Sequence, residues 1–329
     1  MVWFAKRLFI SVGLCALAFM GMCVSSASAQ LRLVGDVEVV YHEADEHACP
    51  PGALDCANDP HQSVVATRTR LGFEAVHELS GEVRAYGRGS IVGVVFDGKD
   101  QKKLGGLTDL ALGVAAGPVF FEGGQVGDNR GARILPHDID QLFLSWHSHP
   151  IEDFQKIEKQ RLSVGWEGNN WSLSALTDDD GQWLLLSNAT FKDAGWFYED
   201  LLVGGTIGQD MLAASADWSD DNGSLFLNYI YGSDLGNRAW RRHRSMQQAT
   251  VGVLQRLGAA EVLVSYSKQY FDGAGGGNFW FDIVRGGLEY DFAPGLSLLA
   301  VADQQWHSEP SGQFAYQVHH YHAGFKVSF

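Results

Sequence analysis

His319-His320-Tyr321-His322-Ala323-Gly324-Phe325-Lys326-Val327-Ser328-Phe329 closes the chain. Read in steps of two from the end, Phe329, Val327, Phe325, Ala323 and Tyr321 form an apolar, aromatic set. Ser328, Lys326, Gly324, His322 and His320 form a polar one. A period of two marks a β-strand, whose side chains alternate between faces. A strand apolar on one side and aromatic at its ends suits a wall between lipid and water. Lipid offers no partner to an unpaired backbone N–H or C=O, so a strand crosses a bilayer only inside a closed barrel. This one segment therefore predicts an all-β fold for the whole chain: a transmembrane, antiparallel, up-and-down β-barrel.

The other end agrees. Lys6 and Arg7 precede an apolar run from about Leu8 to Val24, and Ala27-Ser28-Ala29 is a small-residue cleavage site before Gln30. This reads as a cleaved signal peptide over residues 1–29, with the barrel over residues 30–329. A retained membrane helix fits less well, because the run is short and no charged stop-transfer segment follows. A lipoprotein signal at Cys23 fits less well too, because Met22 precedes it where a small residue is expected. Without Lys6 and Arg7 the chain keeps 22 Lys+Arg against 39 Asp+Glu, a net charge of −17. That balance argues against a nucleic-acid partner, and in a water-filled lumen it favours cations. Cys15 and Cys23 leave with the signal, while Cys49 and Cys56 remain in CPPGALDC, a loop sequence. In an oxidising compartment a disulfide is the expected state of that pair. A metal reading with His47 lacks further ligands.

Beyond Gln30 the chain reads as short alternating strands. Leu31, Leu33, Gly35, Val37, Val39 and Tyr41 oppose Arg32, Asp36, Glu38 and His42. Leu71, Phe73 and Ala75 oppose Arg68, Arg70 and Glu74. Val83, Ala85, Gly87 and Ile91 oppose Glu82, Arg84, Tyr86 and Arg88. Turn signals such as Asp220-Asp221-Asn222-Gly223 separate the later segments. The pattern predicts sixteen strands, with short links at one end and longer ones at the other. Near Asp178 to Gln209 this alternation weakens, because two strands there are joined by almost nothing. Aromatics recur near strand ends, at Tyr41, Tyr231, Tyr266, Tyr290, Trp306, Tyr321 and Phe329, as in the girdles of a membrane barrel. A soluble sandwich would not tolerate Arg and Glu at successive inward positions.

Four stretches carry a resemblance: TRTRLGFEAVHELSGEVRAYGRGSI (67–91), GVLQRLGAAEVLVSYSKQY (252–270), GLEYDFAPGLSLLAVADQQW (287–306) and the terminal GFKVSF. With them the chain resembles the general porins of Gram-negative bacteria, the sixteen-stranded trimeric kind. It lacks the Pro-Glu-Phe-Gly-Gly type motif common in their third loop. The resemblance implies an outer-membrane homotrimer that passes small hydrophilic solutes and ions without a cofactor or a chemical step. It also implies an inward-folding third loop, here Val126 to about Lys159, which carries Asp128, Asp138, Asp140, Glu152 and Asp153. Arginines on the early strands would face those acids, and Arg68, Arg70, Arg84 and Arg88 all fall on the predicted inward face. Such facing charges set a transverse field across the pore.

Other residues invite further readings. Arg238, Arg241, Arg242 and Arg244 cluster in one loop, where they either contact lipopolysaccharide phosphates, which guanidinium binds bidentately, or are simply solvated. His147, His149, His319, His320 and His322 invite a metal reading, and in a strand His320 and His322 share a face and could chelate, but the sequence marks no fixed carboxylate or cysteine partner for them, so no metal is expected. A substrate-specific channel is an alternative. A lipase or protease on a barrel is a weaker one, since its nearest candidates, His147 and Ser148, fall in the predicted inward loop. The signal reading predicts that N-terminal sequencing of the membrane-extracted protein begins at Gln30. A lipid-modified Cys23, or an intact Met1, would contradict it.

Overall fold

The computed structural model describes residues 30–48, 57–58, 62–97, 103–124, 161–178, 183–194, 198–209, 211–233, 243–273, 278–308 and 314–328. Among them every regular element is a strand. The first are β1 (Gln30–Ala48), β2 (Ala57–Asn58), β3 (Gln62–Ser80), β4 (Val83–Asp97), β5 (Lys103–Ala116) and β6 (Val119–Gly124). Then come β7 (Arg161–Glu167), β8 (Trp171–Asp178), β9 (Trp183–Phe191), β10 (Asp200–Gly208), β11 (Met211–Asp220) and β12 (Gly223–Ser233). The last are β13 (His243–Leu257), β14 (Ala260–Gly273), β15 (Phe279–Ala293), β16 (Leu296–Ser308) and β17 (Phe314–Ser328). β2 is a two-residue piece paired to the end of β1. The other sixteen form one sheet in chain order, antiparallel throughout.

The sheet has no free edge. β1 pairs with β3 from Gln30↔Val76 to Ala44↔Gln62 and with β17 from Asp36↔Ser328 to Ala48↔Tyr316. This closure joins the chain's first strand to its last. Each backbone donor along the seam then has a strand partner, which lipid cannot supply. The terminal strand that predicts the barrel is thus the strand that seals it.

One end of the ring is made mostly of tight turns, the longer exception being the β9–β10 link over residues 192–199. β3–β4, β5–β6 and β13–β14 each close through two residues that begin with a glycine at positive φ: Gly81 at 53°, Gly117 at 56° and Gly258 at 66°. A left-handed first turn residue matches the twist of the flanking strands, and glycine adopts it without steric cost. At β11–β12 the Asp220 carboxylate accepts from the backbone N–H of Asn222 at 2.6 Å and of Gly223 at 3.0 Å, an Asx turn. The other end carries the longer links, except that β10 and β11 are joined there by Gln209 and Asp210 alone. The sheet is uneven in height. β8 to β11 have 8, 9, 9 and 10 residues, whereas β13 to β17 have 13 to 15, and β1 and β3 have 19 each.

The two faces divide as the alternation predicts. Outward side chains are large, apolar and exposed: Leu33, Phe121, Val164, Leu212, Val264 and Phe325 among them. In water each would forfeit about 1.5–3 kcal/mol of burial; against lipid tails they cost nothing. Trp166 and Trp171 stack with centroids 5.9 Å apart beside the β7–β8 turn, and Tyr290 and Phe292 meet edge to face at 4.9 Å beside the β15–β16 turn. Nearer the loop end, the outward Tyr266 hydroxyl donates to Asp282, and Tyr41 donates to Glu43 at 3.2 Å. A ring with a polar tip suits the boundary between tails and headgroups. Tyr41, Tyr266, Tyr290 and Tyr321 are exposed, while Tyr231 and Trp306 are half-buried on the same outward face. Phe329 lies outside the described residues.

Inward positions are buried, and many are polar: Asp36, Ser163, Thr206, Asn228, Gln269 and Asp303. The inner wall is not uniformly polar, however. Val40, Phe226, Leu254, Leu263, Leu299 and Val301 form a buried apolar cluster from β12 round to β1. Two tests follow from the faces. The extracted protein should migrate differently on a denaturing gel before and after boiling, and Val264→Arg should cost about 2–4 kcal/mol in vesicle unfolding. An unchanged unfolding midpoint would place Val264 in water.

Candidate functional site: the inner wall

Because a closed antiparallel ring turns every second residue inward, the chemistry of this protein lies along strand interiors. On β13 and β14 the Gln269 amide donates to Gln248 at 2.9 Å and the Gln248 amide donates to Thr250 at 3.1 Å. The Thr250 and Ser267 hydroxyls are 2.8 Å apart. On β16 and β17, Asp303 Oδ1 lies 2.9 Å from His320 Nδ1 and accepts from the Gln305 amide at 3.2 Å. Both Asp303 and His320 are almost inaccessible. Arg285 on β15 is the register partner of Asp303, so the three strands bring a guanidinium, a carboxylate and an imidazole into one row. Nearer the turns Ser297 donates to Asp291 at 2.6 Å, and Lys326 lies 3.7 Å from Glu289. Amides, hydroxyls and paired charges of this kind wet a wall.

A second cluster spans β4 to β6. The Tyr86 hydroxyl donates to Glu122 Oε2 at 3.0 Å, and Arg88 Nη2 is 3.6 Å from the same oxygen. The Glu122 side chain is 0% exposed and that of Arg88 28%. Their strands are not neighbours: Tyr86 is opposite Gly113 of β5, and Gly113 is opposite Glu122. A Cβ at position 113 would sit 2.4 Å from Tyr86 Cζ, so glycine is what lets the ring lie across β5.

Register also alternates charge around this part of the ring. Asp36 is opposite Arg70 and Glu38 opposite Arg68. Arg32 is opposite Glu74, and Glu74 opposite Arg88. Glu78 is opposite Arg84. Directly opposed residues of antiparallel strands share a face, so each predicted arginine has an acid across from it on the neighbouring strand. Arg84 itself is exposed.

Of the residues singled out in the sequence, Arg68 and Arg70 thus lie on β3 and Arg84 and Arg88 on β4. Arg244 lies on β13 near its loop end. Arg238, Arg241, Arg242, Cys49, Cys56, Asp128, Asp138, Asp140, Glu152 and Asp153 lie outside the described residues, as do residues 1–29. The reading missed Glu122, because a single acid in a six-residue strand gives no periodic signal. It also missed Asp303 with Gln305, because Gln304 between them is polar too and blurs the alternation. No group of three metal-ligating side chains gathers among the described residues.

No protein-family profile and no curated sequence matches this chain. Solved structures do. The outer membrane channel DcaP of Acinetobacter baumannii superposes with a TM-score of 0.60 at 14% identity, over 93% of this chain and 99% of that one. OmpT, an outer-membrane protein of Vibrio cholerae, gives 0.62 at 11% identity over 93% and 99%. A mutant of the Rh. blastica porin gives 0.51 at 14% identity over 91% and 100%. At such identities the likeness is one of fold: a closed sixteen-strand barrel of the outer-membrane porin architecture.

The β16–β17 pair yields a stability test. Asp303→Ala strips His320 and Gln305 of their shared acceptor, and should cost about 1–3 kcal/mol in urea unfolding from vesicles. An unshifted midpoint would mean that the pair carries no stability.

Proposed function

We propose that this chain is an outer-membrane porin of a Gram-negative bacterium, a water-filled channel for passive diffusion of small hydrophilic solutes and ions. One observation carries the reading: a closed sixteen-strand ring, exposed and apolar outside, turns hydroxyls, amides and charged groups inward. A surface so divided has lipid on one side and water on the other. The channel performs no chemical step and uses no cofactor. Mild cation preference is proposed from the net charge of −17 after removal of residues 1–29. Asp128, Asp138, Asp140, Glu152 and Asp153 are proposed to narrow the pore from the third loop, facing Arg68, Arg70, Arg84 and Arg88. Trimeric assembly is carried over from the resemblance to general porins. Contact of Arg238, Arg241, Arg242 and Arg244 with lipopolysaccharide phosphate rests on guanidinium chemistry, and the Cys49–Cys56 disulfide on an oxidising compartment.

A substrate-specific channel is the second reading. It is favoured by two fixed pairs, Gln248 with Gln269 and Asp303 with His320, which are more ordered than a bare water column requires. An enzyme on a barrel has weaker support, since its nearest candidates, His147 and Ser148, fall in the loop read from the sequence as folding inward.

Conductance in planar bilayers decides among these. The porin reading expects ohmic steps in groups of three and a cation-biased reversal potential under a salt gradient. Saturation of the current by one solute class would favour the specific channel. Absence of conductance, with cleavage of lipid or peptide, would replace the channel with an enzyme. Replacing both Asp138 and Asp140 by Asn should lower the cation preference. An unchanged reversal potential would remove them from the narrowest part.

A further inference from the structure

We infer that Glu122 sets the charge that Arg88 presents to the lumen, so that part of the ion preference is fixed within the barrel wall at β4–β6. The inference rests on the channel reading and adds to it two specificity-determining residues. Three features carry it. First, the pair is lopsided. The Glu122 side chain is inaccessible while that of Arg88 is 28% exposed, with Nη2 3.6 Å from Glu122 Oε2. Nε and Nη2 of the guanidinium are themselves out of water, so a solute in the lumen meets only the rest of the Arg88 side chain, yet feels the field of both groups. Second, that carboxylate is screened little, because mobile ions do not reach a group out of water. Glu74, the register partner of Arg88 on β3, is exposed, so its influence fades with salt. Arg88 therefore stands between one acid in water and one acid out of it. Third, the wall is shaped around Glu122. Tyr86 crosses β5 over Gly113 to donate to it at 3.0 Å. A buried ion pair adds little stability over an apolar pair of the same volume, and the neighbouring inward position of β6, Phe120, is already apolar and buried. Strength of the wall alone gives no reason for a carboxylate at 122. Control of the charge at Arg88 does.

The test is the reversal potential of the reconstituted full-length protein in a potassium chloride gradient. Glu122→Gln keeps the shape and an acceptor for Tyr86, and should lower the cation-to-anion permeability ratio by about twofold, with Arg88→Gln raising it by a similar factor. The double variant should return close to the wild-type value. Near 1 M salt, where the Debye length is about 3 Å, the Glu122→Gln shift should outlast that of Glu74→Gln. Conducting variants at Glu122 and Arg88 with wild-type reversal potentials would overturn the inference, and so would shifts of the same sign. If Glu122→Gln fails to fold, Arg88→Gln alone decides, and an unchanged potential in that variant overturns the inference as well. A wild-type protein that does not conduct would instead remove the channel reading on which the inference rests.

Discussion

Everything in this molecule depends on one seam. β1 reaches β3 on one side and β17 on the other, so a sheet that would otherwise end in two rows of unpaired backbone groups ends in none. In water such edges would be a hazard of aggregation. In lipid they would be prohibitive, each open group costing several kcal/mol. Closure makes the apolar exterior tolerable and gives the polar interior a boundary. At the β1–β17 joint the two ends of the chain find each other with no turn to guide them.

The same closure governs what the interior offers. Neighbouring strands in strict antiparallel register put directly opposed residues on one face, so charge becomes a property of rows across the sheet. Around β1, β3 and β4 the rows alternate sign: Asp36 with Arg70, Glu38 with Arg68, Glu78 with Arg84. A row of this kind holds strong local fields while its sum stays small. The acidity of the chain as a whole therefore says less about this part of the wall than the composition suggests. Further round, on β13 to β17, hydrogen-bonded amides and the Asp303–His320 pair replace the ladder, above the apolar cluster of Leu254, Leu263 and Leu299.

Much of the fold was legible in the sequence because lipid and water impose opposite demands on alternate residues. Segments with period two, and turn signals such as Asp220-Asp221-Asn222-Gly223, carry the count of sixteen strands, though not every strand end. The exceptions have a physical cause. β1 runs on to Ala48 and β3 begins at Gln62, beyond the alternating stretch. A wall that stands above the lipid has water on both sides, and no period is then required of it. The inner wall was less legible. Periodicity tells which residues point inward but not which of them touch, and the link from Tyr86 across Gly113 to Glu122 depends on a missing side chain on the strand between them. Likewise Leu263 and Leu299 carry no mark that separates an inward leucine from an outward one beyond their place in the alternation.

The unequal strand lengths have a geometrical result. A nine-residue strand is about enough to cross a bilayer at the usual tilt, so β8 to β11 stop close to the lipid surface while β1, β3 and β13 to β17 stand well above it. The sheet is a tube cut on the slant. An oblique cut through a cylinder is an ellipse, always wider than the bore beneath it. Among the described residues the rim is thus low on the β8–β11 flank and high on the opposite one, like a bevelled needle.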